Sequence, residues 1–366
     1  MNILYDYQIF EMQKYGGISR YFVELAQHYN DEEDINVSIA AKITNNEYLV
    51  NSHIKNNLVL HSKYVIKKRH YIESKVNRVY LRHAFSMRKI DVFHPTYYDP
   101  YFLKYIGEIP FVLTIYDMIH EKFSEMFSPN DRTSQNKKLL AEKASKIIAI
   151  SESTKQDIID ILGIDEAKID VVYLGSSLPL ASNTITIDSC PSKYILFVGN
   201  RTIYKNFNRF IKAIAPLLHE DKELHVVCAG GGKFHEDEEQ LLSQLEITKR
   251  VHQFNIDDTT LTTFYSEAIM FVFPSMYEGF GIPILEAFEC NCPLVCSNIS
   301  SLPEVAGDAA VYFNPMDESS ILTAVRTVFE DSQLQKKLVD AGQERLKLFS
   351  WKKTAEETKK VYKSII

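Results

Sequence analysis

The sequence predicts an α/β protein made of two parallel-sheet halves, and three observations carry that prediction. Short apolar, β-prone runs recur along the chain, each followed by a glycine or polar turn and then by helical spacing. At 366 residues the chain exceeds one comfortable core. A polar, turn-forming stretch, Leu180 to Pro191, divides it near the middle. The domains expected on this basis are residues 1–185 and 190–350, each built on a parallel sheet, with the two sheets facing one another.

Composition narrows the function. With 45% apolar and 24% charged residues the chain is globular, and a net charge of −7 argues against a general nucleic-acid binder. Its five cysteines (Cys190, Cys228, Cys290, Cys292, Cys296) lack the paired spacing of a zinc site and read as buried free thiols of a reducing compartment. Met1–Tyr5 is already a strand, so no leader is expected, and no apolar run approaches the roughly 20 residues that cross a bilayer. A cytoplasmic protein is expected.

In chain order, the strand Asn2–Asp6 leads to Gly16-Gly17, after which Ile18, Phe22, Leu25 and Ala26 keep helical spacing. A glycine turn feeding a helix N-terminus suits an anion, although an ordinary βα turn looks the same. Between Ser62 and Ile90 nine cations (Lys63, Lys67, Lys68, Arg69, Lys75, Arg78, Arg82, Arg88, Lys89) face Glu73 alone. The stretch is either a solvated helical face or a patch for anionic headgroups or a phosphate-bearing acceptor. Asp91–Pro95 and Phe111–Glu121 read as parallel strands that deliver polar residues, Asp117 and His120 among them, at their carboxyl ends. Lys146–Ile150 is a further strand, followed by Ser151 as a helix N-cap and by Lys155, which is either a ligand contact or a surface lysine. Ile169–Tyr173 closes the half.

The second half opens on Lys193–Val198, then Gly199, Asn200, Arg201 and Lys205 ahead of a helix. Two cations there suit a diphosphate leaving group, whose growing charge is the main electrostatic demand of such a transfer. Leu224–Ala229 ends in Gly230-Gly231-Gly232, which lacks dinucleotide spacing. The apolar run Ile269–Phe273 precedes Pro274-Ser275-Met276-Tyr277-Glu278-Gly279-Phe280-Gly281-Ile282-Pro283-Ile284-Leu285-Glu286-Ala287. Gly279 and Gly281 break the chain, and Pro283 suits the first turn of a new helix. Glu278 and Glu286 frame that turn, with seven residues between them. A phosphate-friendly backbone flanked by two hydroxyl-accepting carboxylates fits a nucleotide sugar; a plain βα corner with solvated glutamates has the same spacing. Helices are expected at about 317–348 and 351–363.

The Pro274–Ala287 segment, with Cys292-Pro293-Leu294-Val295-Cys296-Ser297 and Ser300 to Ala310 after it, resembles the Glu-x7-Glu signature of the retaining family 4 glycosyltransferases. That resemblance implies the GT-B fold: two facing Rossmann-like domains with a cleft between them, and a last helix, about 351–366, crossing back to the first domain from near Trp351. It implies a hexosyltransferase of the mannosyltransferase type in lipopolysaccharide or other polysaccharide biosynthesis, using GDP-mannose or a UDP-sugar and a glycan or lipid-linked glycan acceptor. Residue by residue, Arg201, Lys205 and the N–H groups of Gly279, Phe280, Gly281 and Ile282 would meet the diphosphate. Glu286 would hold the ribose and Glu278 the donor sugar. Gly16 and Gly17 would lie beneath the donor phosphates, with Asn200 and the backbone of Phe254 also on the donor side. Relatives carry a His-Asp pair where this chain has Tyr116-Asp117, so Asp117 joins Glu278, Arg201 and Lys205 as the catalytic set while Tyr116 is a departure. No Asp-x-Asp motif follows an apolar strand, so no metal and no cofactor are expected. Relatives that extend lipid-diphosphate-linked glycans imply peripheral contact of Lys63–Lys89 with the inner face of the plasma membrane. The alternatives are a GT-B nucleotide-sugar epimerase and a non-catalytic nucleotide-sugar-binding protein.

Overall fold

A computed structural model describes residues 1–54, 60–61, 69–87, 89–176, 178 and 185–366. Two compact units emerge: Met1–Gly175 with Trp351–Ile366, and Ser176–Ser350. Of the expected linker, residues 180–184 lie outside the described residues.

The strands of the first unit are β1 (Asn2–Tyr5), β2 (Asn36–Ile39), β3 (Ile43–Thr44), β4 (Leu60–His61), β5 (Val92–His94), β6 (Val112–Ile115), β7 (Lys146–Ala149) and β8 (Ile169–Val171). Among the described residues β2-β1-β5 and β6-β7-β8 form two three-stranded parallel sheets, and a parallel bridge between Phe93 and Phe111 joins them. Ile3 is in register with Val37 on one side and Val92 on the other. The central strands are buried almost throughout, as helices on both faces require.

The helix Trp351–Lys363 belongs to this unit. Tyr29 donates to the carbonyl of Ala355 at 2.7 Å, and Thr354 to that of Tyr173 at 2.7 Å. Its Tyr362 hydroxyl lies 3.1 Å from Tyr5 and 2.7 Å from His94 Nδ1, while His94 Nε2 meets Thr114 Oγ1 at 2.9 Å. Two hydroxyls therefore satisfy both ring nitrogens of a buried histidine. Burial pushes the His94 imidazole down to about 3 from its ordinary 6.5, so it is neutral in the fold. Once unfolded, it takes up a proton below about pH 6.5. The native state accordingly loses about 1.4 kcal/mol per pH unit from there downward, or about 2 kcal/mol at pH 5. Denaturant titrations at pH 7 and pH 5 are expected to show this loss, and His94→Gln is expected to remove that part of the pH dependence. An equal acid sensitivity in the variant would place the titration elsewhere.

The second unit contains β9 (Tyr194–Val198), β10 (His225–Ala229), β11 (Val251–Phe254), β12 (Met270–Phe273), β13 (Leu294–Ser297) and β14 (Ala310–Phe313). They form one parallel sheet in the order β11-β10-β9-β12-β13-β14. This is the doubly wound order, whose direction reverses between β9 and β12, and ligands collect outside the carboxyl ends at that point. Phe197, Phe210, Ile211, Ile214, Val226 and Val272 are among the core residues packed around the sheet. All five cysteines are free thiols, four of them buried. The expected helical stretch after residue 317 resolves into Glu318–Glu330 and Ser332–Leu346, each begun by an aspartate cap, Asp317 and Asp331.

Candidate active site

The switch point brings together two loops that are far apart in sequence. From β9 the chain runs through Gly199 into a short 3-10 turn, Ile203–Lys205. From β12 it runs through Pro274 to Gly281 and into the helix Ile282–Glu289. Asn206, in the left-handed region at φ 60°, ties the two by donating to the carbonyls of Pro274 at 3.1 Å and Pro315 at 2.7 Å. The Met276 N–H donates to the Tyr204 carbonyl at 2.6 Å.

This closure sets Lys205 Nζ 2.6 Å from Glu278 Oε1, with side chains 15% and 12% exposed. Ser275 Oγ donates to the same carboxylate oxygen at 2.6 Å. Two residues expected to meet different parts of one ligand therefore meet each other. The turn itself is pinned from β13's exit: the Glu278 N–H donates to Ser300 Oγ at 3.0 Å, and Ser301 Oγ donates to the carbonyls of Glu278 at 2.9 Å and Phe280 at 3.0 Å. The left-handed step falls at Gly281, φ 100°, where a Cβ would stand 3.0 Å from Leu302 and 3.3 Å from Ile284. Glu286, one turn into the helix, is buried, and Tyr265 donates to its Oε2 at 3.0 Å.

Arg201 has partners of its own within the fold. Its guanidinium pairs with Glu238 at 2.8 Å, with side chains 1% and 3% exposed, and donates to the carbonyls of Gly232 at 3.0 Å and Lys233 at 2.9 Å. It braces the glycine loop after β10 from inside, and Lys205 is left as the cation of the pair that faces Glu278. Asn200 Oδ1 accepts from Thr202 Oγ1 at 3.2 Å. The carbonyl of Phe254, at the end of β11, accepts from the Gly230 N–H at 2.8 Å, so the glycine loop and the β11 edge are also coupled.

In the first unit, Gly16 and Gly17 begin the helix Gly17–His28. Gln13 Oε1 accepts the Ser19 N–H there at 3.1 Å, and a Cβ on Gly16 would stand 2.3 Å from that amide oxygen. A side chain on Gly16 would displace the Gln13 amide, which already takes up one of the helix's first N–H groups. Asp117 follows β6, half-buried, and its Oδ1 accepts from the Ile119 N–H at 3.0 Å. Beside it the Tyr116 hydroxyl is buried with no hydrogen-bond partner among the described residues. His120 stacks on Phe127 at 3.9 Å, and Lys155 pairs with Glu166 at 2.8 Å. Of the basic stretch, Lys63, Lys67, Lys68 and Arg88 lie outside the described residues. The helix Arg69–Met87 buries Glu73, Asn77, Leu81 and Ala84 and exposes Lys75, Arg78, Arg82, Val76 and Val79, the last 65% exposed. No helix among the described residues is long and apolar enough to cross a membrane.

Serines 275, 300 and 301, Tyr265 and Glu238 were not assigned roles from the sequence. Ser275 and Ser300-Ser301 carried a signal only as part of the pattern around and after the glutamates.

Comparison with known proteins shows what the chain is similar to. Residues 15–178 match the family model described as Glycosyltransferase Family 4, and residues 190–345 that described as Glycosyl transferases group 1. The chain is 28% identical over 305 residues to the O-antigen chain mannosyltransferase B of Escherichia coli, covering 77% of each. It is 29% identical over 199 residues to the O-antigen chain mannosyltransferase RfbU of Salmonella typhimurium, covering 52% of this chain and 53% of that one. The crystal structure of Anabaena Alr3699/HepE in complex with UDP and glucose superposes with a TM-score of 0.76 at 18% identity, over 99% of both chains. With a doubly wound second unit and family matches across both units, the chain belongs to the family 4 glycosyltransferases and has the GT-B fold.

Proposed function

We propose that this glycosyltransferase moves a hexose from a nucleoside diphosphate sugar to a hydroxyl of a glycan or lipid-linked glycan, with retention of anomeric configuration. The observation that carries the reading is the meeting of Lys205 and Glu278 at the β9/β12 switch point, with Glu286 one turn behind. A mannosyl donor, GDP-mannose, is favoured by the O-antigen mannosyltransferases among the relatives. The epimerase alternative draws no support from them.

In this reading the diphosphate lies along the Gly279–Ile282 turn, with Lys205 on its charge. Glu286 accepts hydrogen bonds from the ribose diol and Glu278 from hydroxyls of the sugar. As Lys205 turns to the phosphates, Glu278 is released to the sugar, so binding of both ends of the donor is coupled. The acceptor oxygen attacks the anomeric carbon on the face from which the diphosphate departs. The carbon–oxygen bond to phosphate breaks, the glycosidic bond forms, and the acceptor's proton passes to the leaving phosphate oxygen. Lys205 stabilises the charge that grows there. Asp117, at the carboxyl end of β6, accepts from a sugar hydroxyl.

A panel of nucleotide sugars, read by release of nucleoside diphosphate and by the anomeric configuration of the product, tests this. Transfer with retention is expected. An inverted product overturns the stereochemical reading, and binding without turnover across the panel leaves a binding protein.

The exposed face of the helix Arg69–Met87, with Lys75, Arg78 and Arg82 beside Val76 and Val79, supports docking on an anionic bilayer. Each cation at such a surface contributes about 1 kcal/mol, screened over about 8 Å in physiological salt. Sedimentation with anionic vesicles is expected at low salt, and changing Lys67, Lys68, Arg69 and Lys75 to Ser is expected to weaken it by at least about tenfold. Binding that survives those changes would leave the stretch a solvated face.

A further inference from the structure

The two residues that leave β6 are held from both sides. The Tyr116 N–H donates to the Tyr98 hydroxyl at 3.2 Å, and the Asp117 carbonyl accepts from Lys137 Nζ at 2.9 Å. Lys137, on the helix Thr133–Lys143, is 0% exposed. Its ammonium also donates to Glu121 Oε2 at 2.8 Å and lies 5.2 Å from the centre of the Tyr98 ring, so one tyrosine contributes its hydroxyl to the strand end and its face to the lysine. Glu121, four residues beyond Asp117, has its other oxygen, Oε1, buried without a partner among the described residues.

This is a poor arrangement if stability is its purpose. Burying an ion pair costs about as much as it recovers, apolar residues of similar volume commonly serve as well or better, and an unsatisfied carboxylate oxygen adds to the cost. What the pair achieves is geometric: the Lys137 ammonium fixes the peptide that carries Asp117, and Glu121 holds that ammonium from its other side.

We propose that Lys137 is a positioning residue for sugar transfer, clamping the Tyr116–Asp117 main chain together with Tyr98 so that the Asp117 carboxylate is held where it meets substrate. The clamp rests on the reading of Asp117 as a substrate-binding group, and it is measured separately from that reading.

The experiment compares wild type, Lys137→Met, the charge-free pair Lys137→Met/Glu121→Leu, Asp117→Asn, and Asp117→Asn with Lys137→Met. Hydrogen exchange of the peptide spanning residues 113–123 reads the clamp without any activity. Faster exchange at 116–119 is expected in both Lys137 variants, with nucleoside diphosphate affinity unchanged; unaltered exchange overturns the clamp. Transfer, with the donor found in the panel, reads its purpose. A displaced catalytic group costs on the order of a hundredfold in turnover, which is the loss expected for Lys137→Met. The charge-free pair is expected to restore the melting temperature but not the turnover, and on the Asp117→Asn background the Lys137 change is expected to cost less than about threefold, because coupled residues are not additive. Full restoration by the charge-free pair, or a loss that multiplies in full with Asp117→Asn, overturns the positioning role. Loosened exchange with no effect of Asp117→Asn on transfer overturns the role of Asp117 and the positioning role with it, but not the clamp.

Discussion

Lys205→Ala is expected to lower turnover about a hundredfold while the donor KM changes little. The lysine is proposed to meet charge that appears only as the diphosphate departs, and loss of one such interaction typically costs about 3 kcal/mol. The ground state is buffered against the substitution because the resting partner of the ammonium is Glu278, 2.6 Å away, so binding exchanges one anion for another. Removing the lysine leaves the Glu278 carboxylate with the Ser275 hydroxyl, and thermal melting is needed to set the assay temperature below any lowered transition. Steady-state kinetics on the donor checks the split. Turnover within about threefold of wild type would remove Lys205 from the transition state. A loss confined to KM would make it a ground-state anchor.

Glu286→Ala is expected to weaken the free nucleoside diphosphate by about ten- to a hundredfold, the range for hydrogen bonds to a charged acceptor. The carboxylate is buried, and Tyr265 donates to its Oε2, which fixes the side chain beside the helix start. Glu278→Ala is expected to spare the free nucleotide and to weaken only the intact donor, because its proposed partner is the sugar. Freeing Lys205 from Glu278 makes the free diphosphate bind no worse, and a modest gain is the expected sign. Calorimetry with the nucleoside diphosphate and with the nucleotide sugar separates the two glutamates. Equal losses of free nucleotide in both variants would dissolve the division of labour between them.

Much of the scaffold is legible because its signals are local. Ser151 accepts from the Thr154 N–H three residues on, as its position before Glu152–Asp157 indicates. Pro283 falls in the first turn of the helix Ile282–Glu289, where a missing N–H costs nothing, and Gly281 takes the left-handed step before it. The apolar runs Ile195–Val198, Val226–Ala229 and Phe271–Phe273 lie within strands buried on both faces, which is why they read as continuous rather than alternating. Each of these features depends on a handful of neighbouring residues.

The order of strands and the partners of charged side chains depend on contacts that spacing does not encode. Nothing near Arg201 in sequence announces that Glu238 lies against it, 37 positions further along the chain. Lys205 and Glu278 are 73 positions apart, Tyr265 and Glu286 are 21 apart, and Lys137 reaches back 20 to the Asp117 carbonyl. By itself the sequence determined two α/β halves, the glycine turn at Gly281 and the pair of glutamates around it, because backbone preference and apolar periodicity act over a few residues. Only the tertiary structure decided which cation faces the glutamate and which is buried as a brace, because a charge is neutralised by whatever the fold brings within about 3 Å, however distant in the chain.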